Sequence, residues 1–143
     1  MKRVLLPIDG SECSLRAVQY LLDQRAERPG PADPEIHLVN VQVPFSGHVG
    51  QFIKREQIAG YQREEGAKAL QGARALLDAS GVRYTAHSEV GWTAEVIVRL
   101  AGSLHCDHII MGTHGRSALT ELLIGSTTLK VLHLTRVPVV LVK

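Results

Sequence analysis

Three glycines and two hydroxyls form the chemically most suggestive spacing in this 143-residue chain. Gly112 and Gly115 stand directly after the apolar run His108–Met111. Gly125 comes ten positions after Gly115, with Ser126 and Thr127 immediately behind it. A helical apolar pattern then starts, with Leu129, Val131 and Leu132 as its inward candidates. The order is strand, glycine-marked loop, helix start, which is how a backbone builds a phosphate cradle. Glycine lets the chain bend and lets an anion approach N–H groups closely. The free N–H groups and positive dipole end of a following helix favour negative charge. Ser126 and Thr127 add hydroxyl donors at that helix start. Taken singly, each glycine reads as a turn residue and Ser126 as a helix cap. The complete spacing behind a strand points to an anion or nucleotide.

Other side chains extend or compete with this reading. His114 and Arg116 lie inside the glycine loop, where either could face phosphate or simply be solvated. Arg116 is the better candidate, because guanidinium stays charged and forks onto phosphate oxygens. Asp9 ends the first apolar run, either as a turn or cap residue or as a carboxylate at a pocket mouth. A carboxylate facing a bare triphosphate would be repelled, so Asp9 fits only by meeting the nucleoside end or by sharing a divalent cation with the phosphates. His105-Cys106-Asp107-His108 resembles a metal cluster, but no second half with ligand spacing follows, and alternate strand residues point to opposite faces. Cys13 falls near the expected pocket mouth. The chain has no Gly-Lys-Ser/Thr of a P-loop, no GxGxxG after its first apolar run and no GxSxG elbow.

These residues need elements to hold them. Val4–Ile8 is a short continuous apolar run, as expected of a strand covered on both faces. Asp9-Gly10-Ser11 ends it, and Leu15, Val18, Leu21 and Leu22 then recur at helical spacing, capped by Ser11 or Ser14. Pro29–Pro34 is a break. Ile36–Val43 is the second strand, followed by a polar loop around Ser46–Gln51. The segment from about Ile53 to Ser80 places Ile58, Tyr61, Ala69, Leu70, Ala73, Leu76 and Leu77 on one stripe. Gly60, Gly66 and Gly72 lower its propensity, so its early half is expected to be loose or bent. Gly81 suits a C′ position. Val82–Val90 reads as a strand, suited to an edge. Ala94, Val96, Ile97, Leu100, Ala101 and Leu104 form an amphipathic helix with Thr93 as candidate cap. His108–Met111 and Val137–Val142 complete five strands. Strands alternating with helices imply an α/β fold with a parallel sheet covered on both faces, of doubly wound layout. No repeat, linker or low-complexity stretch divides residues 1–143, so one domain is expected.

The pattern Gly112-x2-Gly115-x9-Gly125-Ser126 resembles the nucleotide signature of the universal stress protein family, in its ATP-binding branch. The opening KRVLLPIDGSECS and the closing VPVVLVK extend the resemblance over nearly the whole chain. It implies a Rossmann-like sheet of order 3-2-1-4-5, which makes the first and fourth strands neighbours at the switch point where open α/β sheets bind ligands. It further implies that Pro7, Asp9 and Met111 line a nucleotide pocket, and that backbone groups at Val41 hold the adenine edge. Proteins of this family dimerise through the last strand, so a two-fold homodimer through Val137–Val142 is expected.

Composition narrows the function classes. The chain is 45% hydrophobic and 21% charged, with a formal net charge of +2 and 4% aromatic residues. With no long basic run and few stacking platforms, a nucleic-acid module is not expected. No apolar stretch approaches membrane length, and the first is too short for a signal peptide. Two cysteines without a CxxC pair suit reduced thiols and a cytoplasmic protein. The expected ligand is ATP with Mg²⁺ or Mn²⁺, bound by Pro7, Asp9, Val41, Met111, Gly112, Gly115, Arg116, Gly125, Ser126 and Thr127. The expected role is a nucleotide-responsive stress sensor or regulator with an unknown protein partner. The rivals are a slow ATP hydrolase or nucleotidyl/phosphoryl transferase, and a protein-interaction module without nucleotide. No catalytic base stands out, so any turnover is expected far below about 1–1000 per second.

Overall fold

A computed structural model describes residues 1–28, 30, 32–115 and 123–143. Val4, Leu5 and Leu6 are wholly buried, because their strand has a packed layer on each face. This strand is β1 (Arg3–Pro7), the centre of a five-stranded sheet with β2 (Glu35–Gln42), β3 (Tyr84–Val90), β4 (His108–Gly112) and β5 (Val139–Val142). The order is β3-β2-β1-β4-β5 and every pair is parallel, as the family resemblance implies. β3 and β5 are the edges.

Alternation along the strands sorts the core into two layers. Val4, Leu6, Ile36, Leu38 and Ile110 pack on one face against α1 (Glu12–Glu27) and α3 (Arg55–Ala79). Leu5, Val39, Ile109 and Met111 pack on the other against α4 (Thr93–Ser103) and α5 (Ser126–Leu134). The chain therefore covers the first face after β1 and β2, and the second after β3 and β4. The change of side falls between neighbouring β1 and β4, and a crevice opens there at the strands' C-terminal ends.

Several local expectations shift. The loop after β2 holds a short helical turn, α2 (Gly47–Gly50). The long helix is continuous from Arg55, so its glycines do not break it, and two of them are packing positions. A Cβ at Gly66 would lie 3.4 Å from Asn40 Oδ1, and one at Gly72 would lie 3.1 Å from a Leu15 methyl. Tyr61, placed on the buried stripe by its spacing, is exposed and packs its ring against Phe45 instead, because α3 buries residues only from Gly66 onward. On α5 only Val131 of the three inward candidates is buried, while Leu129 is 53% exposed. Among the described residues, no helix is long and apolar enough to cross a membrane.

Candidate functional site

The crevice at the switch point is a cavity of about 290 Å³. Pro7, Asp9, Val41, Met111, Gly112, Gly115, Gly125, Ser126 and Thr127 all line it. Nine of the ten residues singled out in the sequence thus meet in one place, although they come from four separate stretches. The tenth, Arg116, lies outside the described residues.

Two short stretches fix the polar end. Beyond β1, Asp9 Oδ1 accepts the Ser11 N–H at 2.9 Å, which makes Asp9 a turn residue as well as a wall residue. Gly10 takes φ 81°, and Ser11 then caps α1 by accepting the Ser14 N–H at 3.2 Å. Beyond β4, the Gly125 N–H donates to the Thr113 carbonyl at 2.7 Å and pinches the glycine loop at its base. The buried Thr128 hydroxyl donates to the Gly112 carbonyl at 3.1 Å and docks α5 on the end of β4. Gly125 is the N-cap of α5, so Ser126 is a helical residue and not the cap. The cap supplies no side-chain bond, and the first bond of the helix ladder runs from Leu129 N–H to Gly125 C=O. The N–H groups of Ser126, Thr127 and Thr128 therefore precede that ladder, at the positive end of the helix dipole. Among the described residues, none hydrogen-bonds the Ser126 or Thr127 hydroxyl.

The three loop glycines suit their places for a different reason than expected. None has positive φ. What demands glycine is the close approach of the chain to itself. A Cβ at Gly112 would sit 2.7 Å from Cys13 Sγ, and one at Gly115 would sit 2.6 Å from Asp9 Oδ2. A Cβ at Gly125 would lie 3.2 Å from the backbone of His114. Cys13 itself is buried behind β4, where its thiol reaches the Val142 carbonyl at 3.4 Å, and so is not at the cavity mouth.

Strand geometry makes the other end distinctive. Along a parallel strand, alternate residues aim both backbone groups at opposite neighbours. Val39 C=O accepts Ile8 N–H from the β1 side, and Gln42 C=O accepts Gly91 N–H from the β3 side. Val41 must therefore aim its N–H and C=O toward β1. But β1 pairs with β2 only as far as Pro7↔Val39, and the Ile8 carbonyl is taken by the buried Asn40 amide at 2.8 Å. The Val41 donor and acceptor are left open beside the cavity, with no described residue bonded to either. Val39, Ile97 and Met111 give the same crevice apolar walls. One crevice thus offers a donor–acceptor pair with apolar walls at one end and, at the other, helix N–H groups that no described residue bonds.

Sequence reasoning missed Asn40, Thr93, Ile97 and Thr128. Asn40 carried a signal, being the one polar side chain between Val39 and Val41 in an apolar run. Thr93 suits a cap by residue type, but Trp92 is the N-cap of α4 and Thr93 its first residue. The His105–His108 group is engaged otherwise. Asp107 accepts Lys2 N–H, Arg3 N–H and the His108 ring, and burial pushes the Cys106 thiol up to about 11.

A family model for the universal stress protein family matches residues 1–143. Universal stress protein MJ0531 of Methanocaldococcus jannaschii is 31% identical over 144 residues, spanning 99% of this chain and 82% of that protein. The solved structure of hypothetical protein MJ0577, from the same organism, aligns with a TM-score of 0.81 at 29% identity, covering 99% of this chain and 95% of that one. A universal stress protein from Archaeoglobus fulgidus, solved in complex with dAMP, shares the fold at a TM-score of 0.67 and 19% identity, with 100% of this chain and 98% of that one covered. With the family model spanning its whole length, the chain belongs to the universal stress protein family.

Proposed function

We propose that the crevice binds an adenine nucleotide, ATP, and that the protein acts as a nucleotide-responsive regulator. The observation that carries this reading is the pairing of two open backbone sites in one cavity: the Val41 N–H and C=O at one end, and the start of α5 at the other. Adenine presents an adjacent donor and acceptor on one edge and two apolar faces, which suits Val41 and its walls. Phosphate presents charged acceptors, which suits the N–H groups and hydroxyls of Ser126 and Thr127. Asp9 keeps Oδ2 free of any described donor, so one carboxylate oxygen is available to a divalent cation carried by the phosphates. One protein of this fold is solved with dAMP, also an adenine nucleotide, which supports the reading.

Regulation would follow from linkage. A ligand that bridges β2 to the start of α5 stabilises the conformations in which both are in place, by an amount set by its concentration relative to Kd. Calorimetric titration of the purified protein with ATP and Mg²⁺ tests the site. Saturable binding is expected. Ser126→Ala should weaken it by about one to two decades, since losing a hydrogen bond to a charged group costs roughly 1.5–3 kcal/mol. No binding by the wild type would end the proposal, and unchanged affinity in Ser126→Ala would move the phosphates away from α5.

A further inference from the structure

The chain has six aromatic residues, one Trp, three Tyr and two Phe. Among the described residues none of them is in the buried core, which is built from aliphatic side chains, cysteine and methionine. Tyr20 and Tyr84 pack against that core from its margin. The other four, Phe45, Phe52, Tyr61 and Trp92, are exposed. Trp92 is the largest of these rings and is 66% exposed.

Its position is locally unfavourable twice over. An exposed indole leaves a large apolar surface in water. It also occupies the N-cap of α4, where it makes no side-chain capping bond. Ser, Thr, Asp and Asn stabilise that position, as Ser11 does on α1. A residue that serves neither the core nor its own helix calls for another role.

The neighbours of Trp92 indicate which. The turn before it is tied to β2, because Gly91 N–H donates to Gln42 C=O at 3.0 Å, one residue beyond Val41. The residue after it, Thr93, lines the crevice, and so does Ile97 one turn further along α4. Trp92 is thus next in sequence to a lining residue at the Val41 end, while its own ring stays in solvent outside the lining, whose apolar walls there are aliphatic.

We propose that Trp92 stacks on the base of the bound nucleotide and closes that end of the crevice, an inference that rests on the nucleotide reading above. A base held by its edge on Val41 presents flat π-faces, and an indole is the side chain best matched to cover one. Stacking of this kind is tolerant of base identity. It would raise affinity for nucleosides generally, while the backbone of Val41 discriminates among them.

Trp92 is the only tryptophan, so its emission reports on this one position. The experiment titrates ATP with Mg²⁺, and separately inorganic tripolyphosphate with Mg²⁺, into wild type, Trp92→Phe and Trp92→Ser, by calorimetry and fluorescence, with thermal melts alongside. Saturable emission change with ATP but not with tripolyphosphate is expected. Trp92→Ser should lose about tenfold in ATP affinity, and Trp92→Phe should recover part of it. Trp92→Ser should melt no lower than wild type, because serine can cap α4; a side chain serving only the fold would instead lower the melting temperature and leave affinity alone. If wild type binds ATP while its emission stays silent and Trp92→Ser binds equally well, this inference fails and the nucleotide site stands. If wild type gives no binding heat with ATP, both fail.

Discussion

Gly115 and Asp9 belong to stretches more than a hundred positions apart, and the fold makes them neighbours. The carboxylate is held through Oδ1 by Ser11 N–H, so moving Oδ2 clear of a methyl group placed 2.6 Å away disturbs that bond. Gly115→Ala should therefore weaken ATP binding by displacing either Asp9 or the loop. In an Asp9→Gly background the same substitution should have little further effect. Calorimetry on the four proteins of this double-mutant cycle measures the coupling. Additive losses would show that the glycine is needed for something other than room for Asp9. This contact also marks the limit of the site's legibility. Spacing identified Gly112, Gly115 and Gly125 because phosphate loops use glycine, but the obstacles at Gly112 and Gly115 are Cys13 and Asp9, which only the fold brings near. A second residue-scale consequence concerns His87. His37 Nε2 meets Glu35 Oε1 at 3.0 Å and its Nδ1 meets His87 Nε2 at 3.1 Å. When both rings are neutral, His37 donates to Glu35 and accepts from His87. Burial, and then the neighbouring His37, hold the His87 pKa below its ordinary 6.5, against the pull of Glu89. Glu89 itself is paired with Arg99 of α4 at 3.2 Å. A depressed histidine pKa means that the unfolded chain takes the proton first. Its contribution is intact above about 6.5 and is lost as pH falls below that value toward the folded pKa. The melting temperature should thus fall between pH 7 and 5, and fall less in His87→Gln; parallel pH profiles would refute the assignment.

At the scale of elements, α3 and α4 end in the same way, and the comparison gives a stability prediction. After α3, Gly81 N–H bonds Asp78 C=O and Val82 N–H bonds Leu77 C=O, with Gly81 at φ 63°. After α4, His105 N–H bonds Gly102 C=O and Cys106 N–H bonds Ala101 C=O, with His105 at φ 53°. Both are Schellman endings, whose C′ residue must be left-handed. Glycine adopts that conformation freely, whereas a residue with a β-carbon is strained there by about 1–2 kcal/mol. His105→Gly should raise stability by roughly 1 kcal/mol, less the greater freedom of glycine in the unfolded chain. Denaturant midpoints at unchanged m-value would measure it, and an unchanged or lower midpoint would show that the His105 ring contributes more than its strain costs. The Gly81 ending was legible because glycine announces it, and the His105 ending was not, because nothing local distinguishes that histidine. The same contrast runs through the other elements. β1, β4 and α4 could be read from apolar periodicity alone, since burial on one or both faces writes itself into residue type. The continuity of α3 could not, because Gly72 is answered by Leu15, a contact between helices distant in sequence. Strand order was legible only through family resemblance, since periodicity says which residues are buried and not beside which strand.

At the scale of the whole molecule, the two edges of the sheet are unequal. β3 exposes Thr85 and Ser88, and its Glu89 is paired with Arg99, so this edge carries polar and charged side chains. β5 is Val139-Val140-Leu141-Val142, uncharged and partly exposed along its length. We infer that a second copy covers it, pairing antiparallel about a two-fold axis. Strand alternation says how to test this. Pro138 C=O accepts Ile109 N–H and Val142 C=O accepts Thr113 N–H, so residues 138, 140 and 142 face β4. Residues 139 and 141 aim their backbone groups outward, at the partner. Proline at Val140 would therefore break the sheet from within and says nothing about assembly. Proline at Val139 removes an outward donor, at the first residue of an edge strand where the ring is tolerated. Sedimentation should find the wild type dimeric at micromolar concentration and Val139→Pro monomeric, with circular dichroism showing the same helix content in both. Val140→Pro should lose stability instead. A wild-type monomer at that concentration, or a folded Val139→Pro that remains a dimer, would remove β5 from the interface. If the dimer does form here, Thr113 joins it to the crevice. Its N–H bonds the last residue of β5 and its carbonyl bonds Gly125 at the base of the glycine loop, so one residue holds both.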